Sequence, residues 1–150
     1  MTTVETLAKR NLVTATSEET VLAAVRRMAE HRVGAILVVE GETLAGIFSE
    51  RDALARVLAK GLDPAATPVG EVSTPEPMVV RLSSPARECA DLVKEHGVRH
   101  VPVVDEQGRP VGIVSSRDFL AYVVDELEGL IEKANLELRR EELTDPYSLL

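Results

Sequence analysis

The sequence predicts an α/β fold in which one β-α-β-β-α unit occurs twice. Residues 46–52, Gly-Ile-Phe-Ser-Glu-Arg-Asp, return 66 residues later as residues 112–118, Gly-Ile-Val-Ser-Ser-Arg-Asp. Upstream of these motifs, Glu-His-Arg-Val at 30–33 returns as Glu-His-Gly-Val at 95–98. In each copy, short strand patterns flank a helical pattern. A site that one copy forms is therefore expected to be formed again by the other.

The elements of the first copy follow from its apolar spacing. Val21, Val25 and Met28 recur at helical spacing, and the pattern places the start of this helix at Ser17. Glu18 and Glu19 would then lie in its first turn, where the positive end of the helix dipole favours acids. The predicted elements are a helical turn at 4–8, a strand at 12–15, this helix from 17 onward, a hairpin with strands at 35–40 and 43–49 that turns at Gly41, and a helix at 50–60 that is ended by Gly61.

The second copy repeats this order. Val69 and Val72 match Val4 and Leu7 of the first copy, and a helix is expected to begin at Ser84-Pro85. The predicted strands and last helix lie at residues 78–81, 101–105, 110–115 and 116 onward. The linker at 61–68 is short, so the halves should pack on each other. We therefore divide the chain into repeats at 1–62 and 63–124 and a helical tail at 125–150, all within one integrated module.

The last helix is longer than the repeat requires. Its apolar positions continue about 20 residues beyond Asp118, at Leu120, Val123, Leu127, Leu130, Ile131, Ala134 and Leu138. A helix with one apolar face and a charged back needs a partner surface. The sequence leaves two alternatives open: the helix folds over its own core, or it forms a contact between subunits.

Composition indicates a globular protein with an aliphatic core. Of the 150 residues, 45% are hydrophobic and only 3% are aromatic, so Val, Leu, Ile and Ala must fill the core. The longest apolar run, residues 35–39, is far shorter than the roughly 18 residues of a membrane span. The N-terminal residues lack the apolar region of a signal peptide. We expect a soluble cytoplasmic protein with no membrane partner.

Charge and cysteine content exclude further classes. The formal net charge is −8, and residues 125–150 contribute most of the excess acid. Without a broad basic surface or aromatic stacking platforms, nucleic acid is not expected as a partner. The single cysteine, Cys89, cannot form an internal disulfide and is predicted to be a small core residue.

Taken together, these motifs resemble the tandem cystathionine β-synthase domain, the CBS pair or Bateman module. The resemblance rests on residues 46–52 and 112–118, with Val-Arg-His-Val-Pro-Val-Val-Asp at 98–105, and covers about residues 1–124. It implies two β-α-β-β-α motifs packed sheet to sheet about a pseudo-twofold axis. It also implies clefts that bind adenine nucleotides such as AMP, ADP or ATP, and sometimes S-adenosylmethionine. Members of this family are usually regulatory and not catalytic.

The repeated Ser-x-x-Asp admits two interpretations. A serine at a helix N-cap with an acid three residues later is a capping box, which explains both residues without a ligand. It does not explain the repeated arginine. A helix N-terminus also attracts anions, a carboxylate can accept the hydrogens of a ribose diol, and arginine binds phosphate. With the family pattern, we predict ribose contacts from Ser49, Asp52, Ser115 and Asp118, and phosphate contacts from Arg51, Arg117, Arg99 and His100. For His100 the sequence leaves a second alternative open, a packed or surface histidine without a ligand contact.

The resemblance also implies an adenine slot between strands. Its residues would be Thr14, Thr16, Val33, Gly34 and Ala35 in the first copy, and Val79, Arg81, Val98, Val101 and Pro102 in the second. Arg99 and His100 align with Gly34 and Ala35, so the phosphate environment differs between copies. We therefore expect one tight and one weak or empty site, without an assignment of either aspartate to the tighter one.

The leading hypothesis is a homodimeric adenine-nucleotide sensor that signals to an unknown effector protein by changing shape. The alternative is an interaction or scaffold module with empty or vestigial pockets, whose functional surface is the 125–150 helix. We predict no catalytic residues and no enzyme activity, since the sequence has no Ser/His/Asp order, Cys/His pair, metal cluster or Gly-rich phosphate loop that would support catalysis. His31 and His96 lack metal-ligand spacing and are assigned to helix C-termini, so no metal is expected.

Overall fold

The computed structural model describes residues 2–144, which form two small sheets flanked by helices. The first sheet has the order β1-β2-β3-β4 and the second has the order β5-β6-β7. This arrangement confirms the predicted α/β class with its C-terminal helix. The elements are β1 Thr14–Thr16, α1 Val21–His31, β2 Ala35–Glu40, β3 Thr43–Ser49, α2 Glu50–Asp52, α3 Val69–Val72, β4 Thr74–Pro75, β5 Val80–Arg81, α4 Ala86–His96, β6 His100–Val104, β7 Pro110–Ser115 and α5 Ser116–Thr144.

The two sheets share one topology. In each, a short strand runs parallel to the first strand of an antiparallel hairpin, as β1 does to β2 and β5 to β6. The register shifts at matching positions, between Val38 and Val39 and between Val103 and Val104. Strand β4, which the sequence did not predict, adds to the first sheet by pairing with β3. In the second sheet, Lys9 makes the equivalent contact through a bridge to Ile113.

The start of α1 was predicted four residues too early. The carbonyls of Ser17 and Glu19 accept hydrogen bonds from the N–H groups of Gly70 and Val69, which holds this segment outside the helix. Thr20 is the actual N-cap, because its side chain accepts from the N–H of Ala23. Glu19 lies before the helix, where its carboxylate pairs with Arg27 at 2.6 Å and its pKa is lowered mainly by that hydrogen bond.

Other boundaries also differ. Strand β1 is Thr14–Thr16 where 12–15 was predicted, and β6 is His100–Val104 where 101–105 was predicted. Strand β5 covers only part of the predicted 78–81, and α4 begins at Ala86 with Pro85 as its N-cap. The predicted helix at 50–60 consists of α2 followed by a π-helix at Ala53–Leu58. The spacing of the apolar residues does not show where an α-helix changes to a π-helix, so periodicity predicts one continuous helix here.

Each half completes its core with a segment from the other half. Val4 and Leu7, near the N-terminus, pack into the core of the second sheet, where Val80 and Val101 lie. Val69 and Val72 of α3, which follow the linker, pack into the core of the first sheet. The predicted repeats at 1–62 and 63–124 therefore each contribute to the other's core. Their boundaries stay a prediction, but neither repeat is packed independently.

Cys89 belongs to the second core, as predicted. It is 1% exposed, and burial raises the pKa of its thiol to about 11. Such a thiol is protonated at neutral pH and is a poor nucleophile. His31 and His96 lie in the last turns of α1 and α4, at the helix ends to which they were assigned.

Helix α5 leaves the body of the protein. Phe119 and Tyr122 pack against the second core, and the Tyr122 hydroxyl donates to Thr2 Oγ1 at 2.7 Å. From Val124 to Thr144 every residue is exposed. Of the two alternatives left by the sequence, the structure therefore does not support a helix folded over its own core. Residues 145–150 of the predicted tail lie outside the described residues.

Candidate functional site: two clefts between the halves

Both Ser-x-x-Asp motifs form capping boxes. The Asp52 N–H donates to Ser49 Oγ at 3.2 Å, and the Ser49 N–H donates to Asp52 Oδ2 at 2.9 Å. At the start of α5, Asp118 N–H donates to Ser115 Oγ at 3.0 Å and Ser115 N–H donates to Asp118 Oδ2 at 3.3 Å. The capping interpretation is therefore confirmed at both positions. It engages Oδ2 of each aspartate and leaves Oδ1 for another partner.

A different cation faces Oδ1 in each copy. The Lys9 ammonium lies 3.1 Å from Asp118 Oδ1, and the Arg56 guanidinium lies 3.6 Å from Asp52 Oδ1. Burial alone would raise the pKa of Asp118, but hydrogen bonds from Ser115 and Lys9 hold that pKa below its ordinary value. Asp118 is therefore an ionised acceptor at neutral pH.

Asp52 lies in a cleft of about 320 Å³, called here the smaller cleft. The first copy contributes the end of β3 and the start of α2. The second copy contributes the segments before β5 and β6. The lining residues are Ile47, Ser49, Glu50, Arg51, Asp52, Thr74, Glu76, Pro77, Met78, Gly97, Val98, Arg99 and His100.

Asp118 lies in a cleft of about 510 Å³, called here the larger cleft. The roles of the copies are reversed, since the Ser-x-x-Asp motif comes from the second copy and the facing segments from the first. Its polar and charged lining residues are Lys9, Asn11, Arg32, Glu50, Arg99, His100, Ser115, Ser116, Arg117 and Asp118. The other lining residues are Leu12, Val13, Met28, Ala29, Val33, Gly34, Ala35, Leu37 and Ile113.

In each cleft, the Ser-x-x-Asp motif of one copy faces segments of the other copy, and the repeat explains why. Each hairpin ends in a Ser that caps the next helix, so the motif always lies at one edge of its sheet. The Glu50 N–H donates to the Gly34 carbonyl and the Ser116 N–H donates to the Arg99 carbonyl, which fixes the start of each hairpin beside a helix N-terminus. Each cleft therefore combines helix N–H donors, a carboxylate and arginine side chains.

His100 lies between the two clefts and lines both. Burial lowers the pKa of His100, although the nearby carboxylates of Glu50, Asp118 and Asp52 act in the opposite direction. Gly34 approaches the ring closely, since a Cβ on this glycine would lie 3.2 Å from His100 Nε2. His100 is therefore neutral at neutral pH and can donate or accept a hydrogen bond on either side.

The structure brings every residue predicted for ribose and phosphate to a cleft. Ser49, Arg51 and Asp52 line the smaller cleft, Ser115, Arg117 and Asp118 line the larger one, and Arg99 and His100 line both. Their roles toward a ligand stay predictions.

The adenine slot was placed less well. Val33, Gly34 and Ala35 line the larger cleft, and Val98 lines the smaller one. The remaining residues lie elsewhere: Thr14, Thr16, Val79, Arg81, Val101 and Pro102. Val101 and Pro102 are buried in the sheet, and strands β1 and β5 begin only after the chain has passed the clefts. The residues just before those strands, Leu12 with Val13 and Pro77 with Met78, line the clefts instead.

Sequence reasoning missed Lys9, Arg32, Glu50 and Glu76. Lys9 reaches the larger cleft because the N-terminal segment crosses to the second half, where the N–H of Lys9 donates to the Ile113 carbonyl at 2.9 Å. The match of Val4 and Leu7 to Val69 and Val72 was the available signal for this crossing. Arg32 and Glu76 take left-handed backbone conformations, with φ of 54° and 44°, which no residue pattern indicated.

A family model for the CBS domain matches this chain twice, at residues 4–59 and 69–125. The chain belongs to the CBS domain family. It is 33% identical over 125 residues to the mitochondrial CBS domain-containing protein CBSX3 of Arabidopsis thaliana, covering 80% of this chain and 60% of that protein. It thus spans less than two thirds of CBSX3. It is 32% identical over 124 residues to Hypoxic response protein 1 of Mycobacterium tuberculosis, covering 82% of this chain and 86% of that protein.

Solved CBS structures have the same fold. A signal-transduction protein with CBS domains from Burkholderia ambifaria matches with a TM-score of 0.77 and 37% identity, covering 83% of this chain and 95% of that chain. A CBS domain protein from Pyrobaculum aerophilum, solved in complex with AMP, matches with a TM-score of 0.72 and 28% identity, covering 78% of this chain and 89% of that chain. The CBS domain pair of protein MJ0100, in complex with 5′-methylthioadenosine and S-adenosylmethionine, matches with a TM-score of 0.74 and 25% identity, covering 81% and 99%.

None of the helices within residues 2–144 combines the length and apolar character needed to cross a membrane. In the same range, no group of three or more His, Cys, Asp and Glu side chains could hold a metal ion.

Proposed function

We propose that this protein is a regulatory module that binds adenine nucleotides in its two clefts. One observation carries the proposal. In each cleft, an aspartate that caps a helix N-terminus lies together with arginine side chains. In the larger cleft these residues are Asp118, Arg117 and Arg99. Ribose hydroxyls need acceptors and phosphates need cations, and each cleft offers both.

Related structures support the ligand class. The Pyrobaculum aerophilum protein was solved with AMP, and protein MJ0100 with two adenosine derivatives that carry sulfur at the 5′ position. What these ligands share is the adenosine moiety. An adenine nucleotide or a related adenosine compound is therefore the ligand class that we infer for this chain.

A regulatory role follows from how the clefts are built. Proteins that consist only of CBS domains are typically regulatory and not catalytic. A ligand in either cleft contacts both halves, so it binds best to one relative arrangement of the two sheets. Such a ligand shifts the population toward that arrangement, and this shift is the signal available to an effector protein.

The direct test is ligand-dependent stability. A ligand that binds only the native state raises the melting temperature by mass action. We expect AMP, ADP, ATP or S-adenosylmethionine to raise the melting temperature, and guanosine and cytidine nucleotides to have no comparable effect. If no adenine compound changes the melting temperature at millimolar concentration, the pockets are vestigial and the scaffold alternative is favoured.

We also propose that the protein is a homodimer that pairs through α5. Beyond the body of the protein, α5 carries an exposed apolar row at spacings of three and four residues, the spacing typical of a two-helix contact. The row consists of Leu120, Val124, Leu127, Ile131, Ala134 and Leu138. Leu127 and Ile131 are 53% and 61% exposed.

Charge along α5 favours a second copy in antiparallel orientation. Residues 125–132 carry only acidic charges, from Asp125, Glu126, Glu128 and Glu132. Residues 133–140 are mainly basic, with Lys133, Arg139 and Arg140 against Glu137. An antiparallel partner helix places the basic segment of one copy opposite the acidic segment of the other, which stabilises the pair.

A further inference from the structure

The two clefts are equivalent by the internal repeat, yet five pairs of equivalent lining positions differ in charge. In two of these pairs, Gly34 with Arg99 and Ser116 with Glu50, the charged side chain lines both clefts, so it does not distinguish them. The other three pairs do. Lys9 of the larger cleft corresponds to Thr74 of the smaller one, since they pair with the equivalent residues Ile113 and Ile47. By the same repeat, Asn11 corresponds to Glu76 and Arg32 to Gly97. Each of the three exchanges makes the larger cleft more positive than the smaller one.

Two of these positions have an unusual backbone. Arg32 and Glu76 are the only residues other than glycine with positive φ in the described chain. At the position equivalent to Arg32, Gly97 adopts the same conformation with φ of 64°, at no steric cost. The chain therefore keeps a cation in one cleft and an anion in the other at positions where the backbone favours glycine.

The remaining charges reinforce the difference. The larger cleft is lined by four basic side chains, Lys9, Arg32, Arg99 and Arg117, against the two carboxylates of Glu50 and Asp118. The smaller cleft is lined by two, Arg51 and Arg99, against the three carboxylates of Glu50, Asp52 and Glu76. The volumes also differ, at about 510 Å³ and 320 Å³.

We propose that the clefts sort adenosine compounds by phosphate charge: the larger binds an adenine nucleotide with a di- or triphosphate chain, and the smaller binds an adenosine compound without one. This inference rests on the proposed function. A polyphosphate is attracted by Lys9 and Arg32 in the larger cleft and repelled by Glu76 in the smaller one.

Lys9 connects phosphate binding with ribose binding in the larger cleft. Its side chain is 69% exposed and holds Asp118 Oδ1 at 3.1 Å. A phosphate chain competes for the Lys9 ammonium and releases Oδ1 to accept from the ribose diol. Adenosine lacks the phosphates, so its ribose must displace Lys9 from Asp118 without offering the Lys9 ammonium a new anionic partner. The larger cleft should therefore discriminate strongly between ATP and adenosine.

Exchanges between the copies test this inference, because each new residue already occurs at the equivalent position. The double variant Lys9→Thr with Arg32→Gly gives the larger cleft the residues of the smaller one. Glu76→Asn gives the smaller cleft the residue of the larger one. Isothermal titration calorimetry with adenosine, AMP, ADP and ATP measures both sites, and melting curves check that each variant folds.

For the wild type, we expect one site that binds ATP at least about tenfold more tightly than adenosine and a second site with the opposite order. The double variant should lose about tenfold or more in ATP affinity at the first site and retain adenosine binding at the second. Glu76→Asn should increase the affinity of the second site for AMP and ATP.

Two results overturn the inference while leaving the proposed function intact. One is a wild type whose two sites have the same ratio of ATP to adenosine affinity. The other is a double variant with unchanged ATP affinity. If none of the four compounds binds to the wild type, the proposed function itself fails, and the sorting of ligands by charge fails with it.

Discussion

Lys9 and Asp118 form an ion pair across the two halves, with Lys9 Nζ 3.1 Å from Asp118 Oδ1. The lysine comes from the N-terminal segment that crosses to the second half, and the aspartate comes from the first turn of α5. The crossing segment, which completes the second core through Val4 and Leu7, therefore also supplies a cation to the larger cleft. Packing and ligand chemistry depend on the same segment.

Replacing Lys9 is expected to change the titration of Asp118. Lys9 is one of the groups that lower the pKa of Asp118, so Lys9→Met should raise this pKa toward its ordinary value. An aspartate with a lowered pKa stabilises the fold above its unfolded pKa and loses that contribution as pH falls through the folded value. The variant's stability deficit at pH 7 should therefore shrink as the pH falls below the unfolded aspartate pKa of about 3.9.

Carboxyl carbon NMR titration measures the pKa of Asp118 directly. Lys133→Met, on the exposed part of α5, is the matched control and should leave this pKa unchanged. An Asp118 pKa that is the same in Lys9→Met and wild type would contradict the ion pair.

The exchanged core segments predict one cooperative unfolding transition. Val4 and Val69 are fully buried, each in the core of the other half. Truncation of either, as Val4→Ala or Val69→Ala, should lower the free energy of unfolding by about 2 kcal/mol. Because each core contains a segment from both halves, each variant should still unfold in a single transition.

Urea denaturation followed by circular dichroism measures both quantities. Val79→Ala serves as the control, since Val79 is 39% exposed and should cost well under about 1 kcal/mol. Two separate transitions in either core variant would indicate independent halves and disprove the exchanged arrangement.

His100 predicts a loss of stability in mild acid. Burial lowers its pKa below the ordinary value, so the folded state binds a proton less readily than the unfolded state. Stability should be complete above the unfolded pKa of about 6.5 and should fall as pH drops from there toward the folded value. The lowered pKa of Asp118 affects stability only below about pH 4, outside this window.

Melting temperatures of wild type and His100→Asn between about pH 7.5 and 5.0 test this expectation. The asparagine variant should lose less stability over this range than the wild type. Equal slopes for wild type and His100→Asn would contradict a half-buried, neutral histidine.

The proposed dimer predicts sensitivity to charge on one face of α5. Leu127→Glu with Ile131→Glu places carboxylates in the apolar row and should convert a dimer into a monomer by light scattering at micromolar concentration. Leu136→Glu is the control, because Leu136 is 57% exposed on the opposite face of the same helix. A wild-type monomer, or a dimer that survives the double substitution, would exclude pairing through α5.

The fold could be predicted largely because each copy of the repeat gives independent evidence for the elements of the other copy. A hairpin in one copy, such as residues 35–49, supports the same interpretation in the other, and the end of β7 at Ser115 follows from the end of β3 at Ser49. Local patterns could not predict the start of α1. There, hydrogen bonds from Val69 and Gly70, about 50 residues away in sequence, hold Ser17 and Glu19 outside the helix.

The candidate site could be predicted where it depends on a motif and not where it depends on the crossing of the chain. Ser49 with Asp52, and Ser115 with Asp118, are local in sequence and were found as such. Lys9 contributes only because its segment pairs with Ile113, and the residues before β1 and β5 line the clefts because those strands begin late. Both relationships depend on tertiary pairing. For Lys9 the repeat offered one signal, the match of Val4 and Leu7 to Val69 and Val72, whereas no local pattern indicated the late starts of β1 and β5.

Binding of ATP to the variant Asp52→Ala with Asp118→Ala tests the central claim most directly. Calorimetry of the wild type should show saturable binding of ATP. The double variant should lose at least about tenfold in affinity, or about 1.4 kcal/mol, while it stays folded. Asp125→Ala, on the exposed part of α5, should bind as the wild type does. Unchanged affinity and stoichiometry in the double variant would contradict the account and leave both aspartates as helix caps alone.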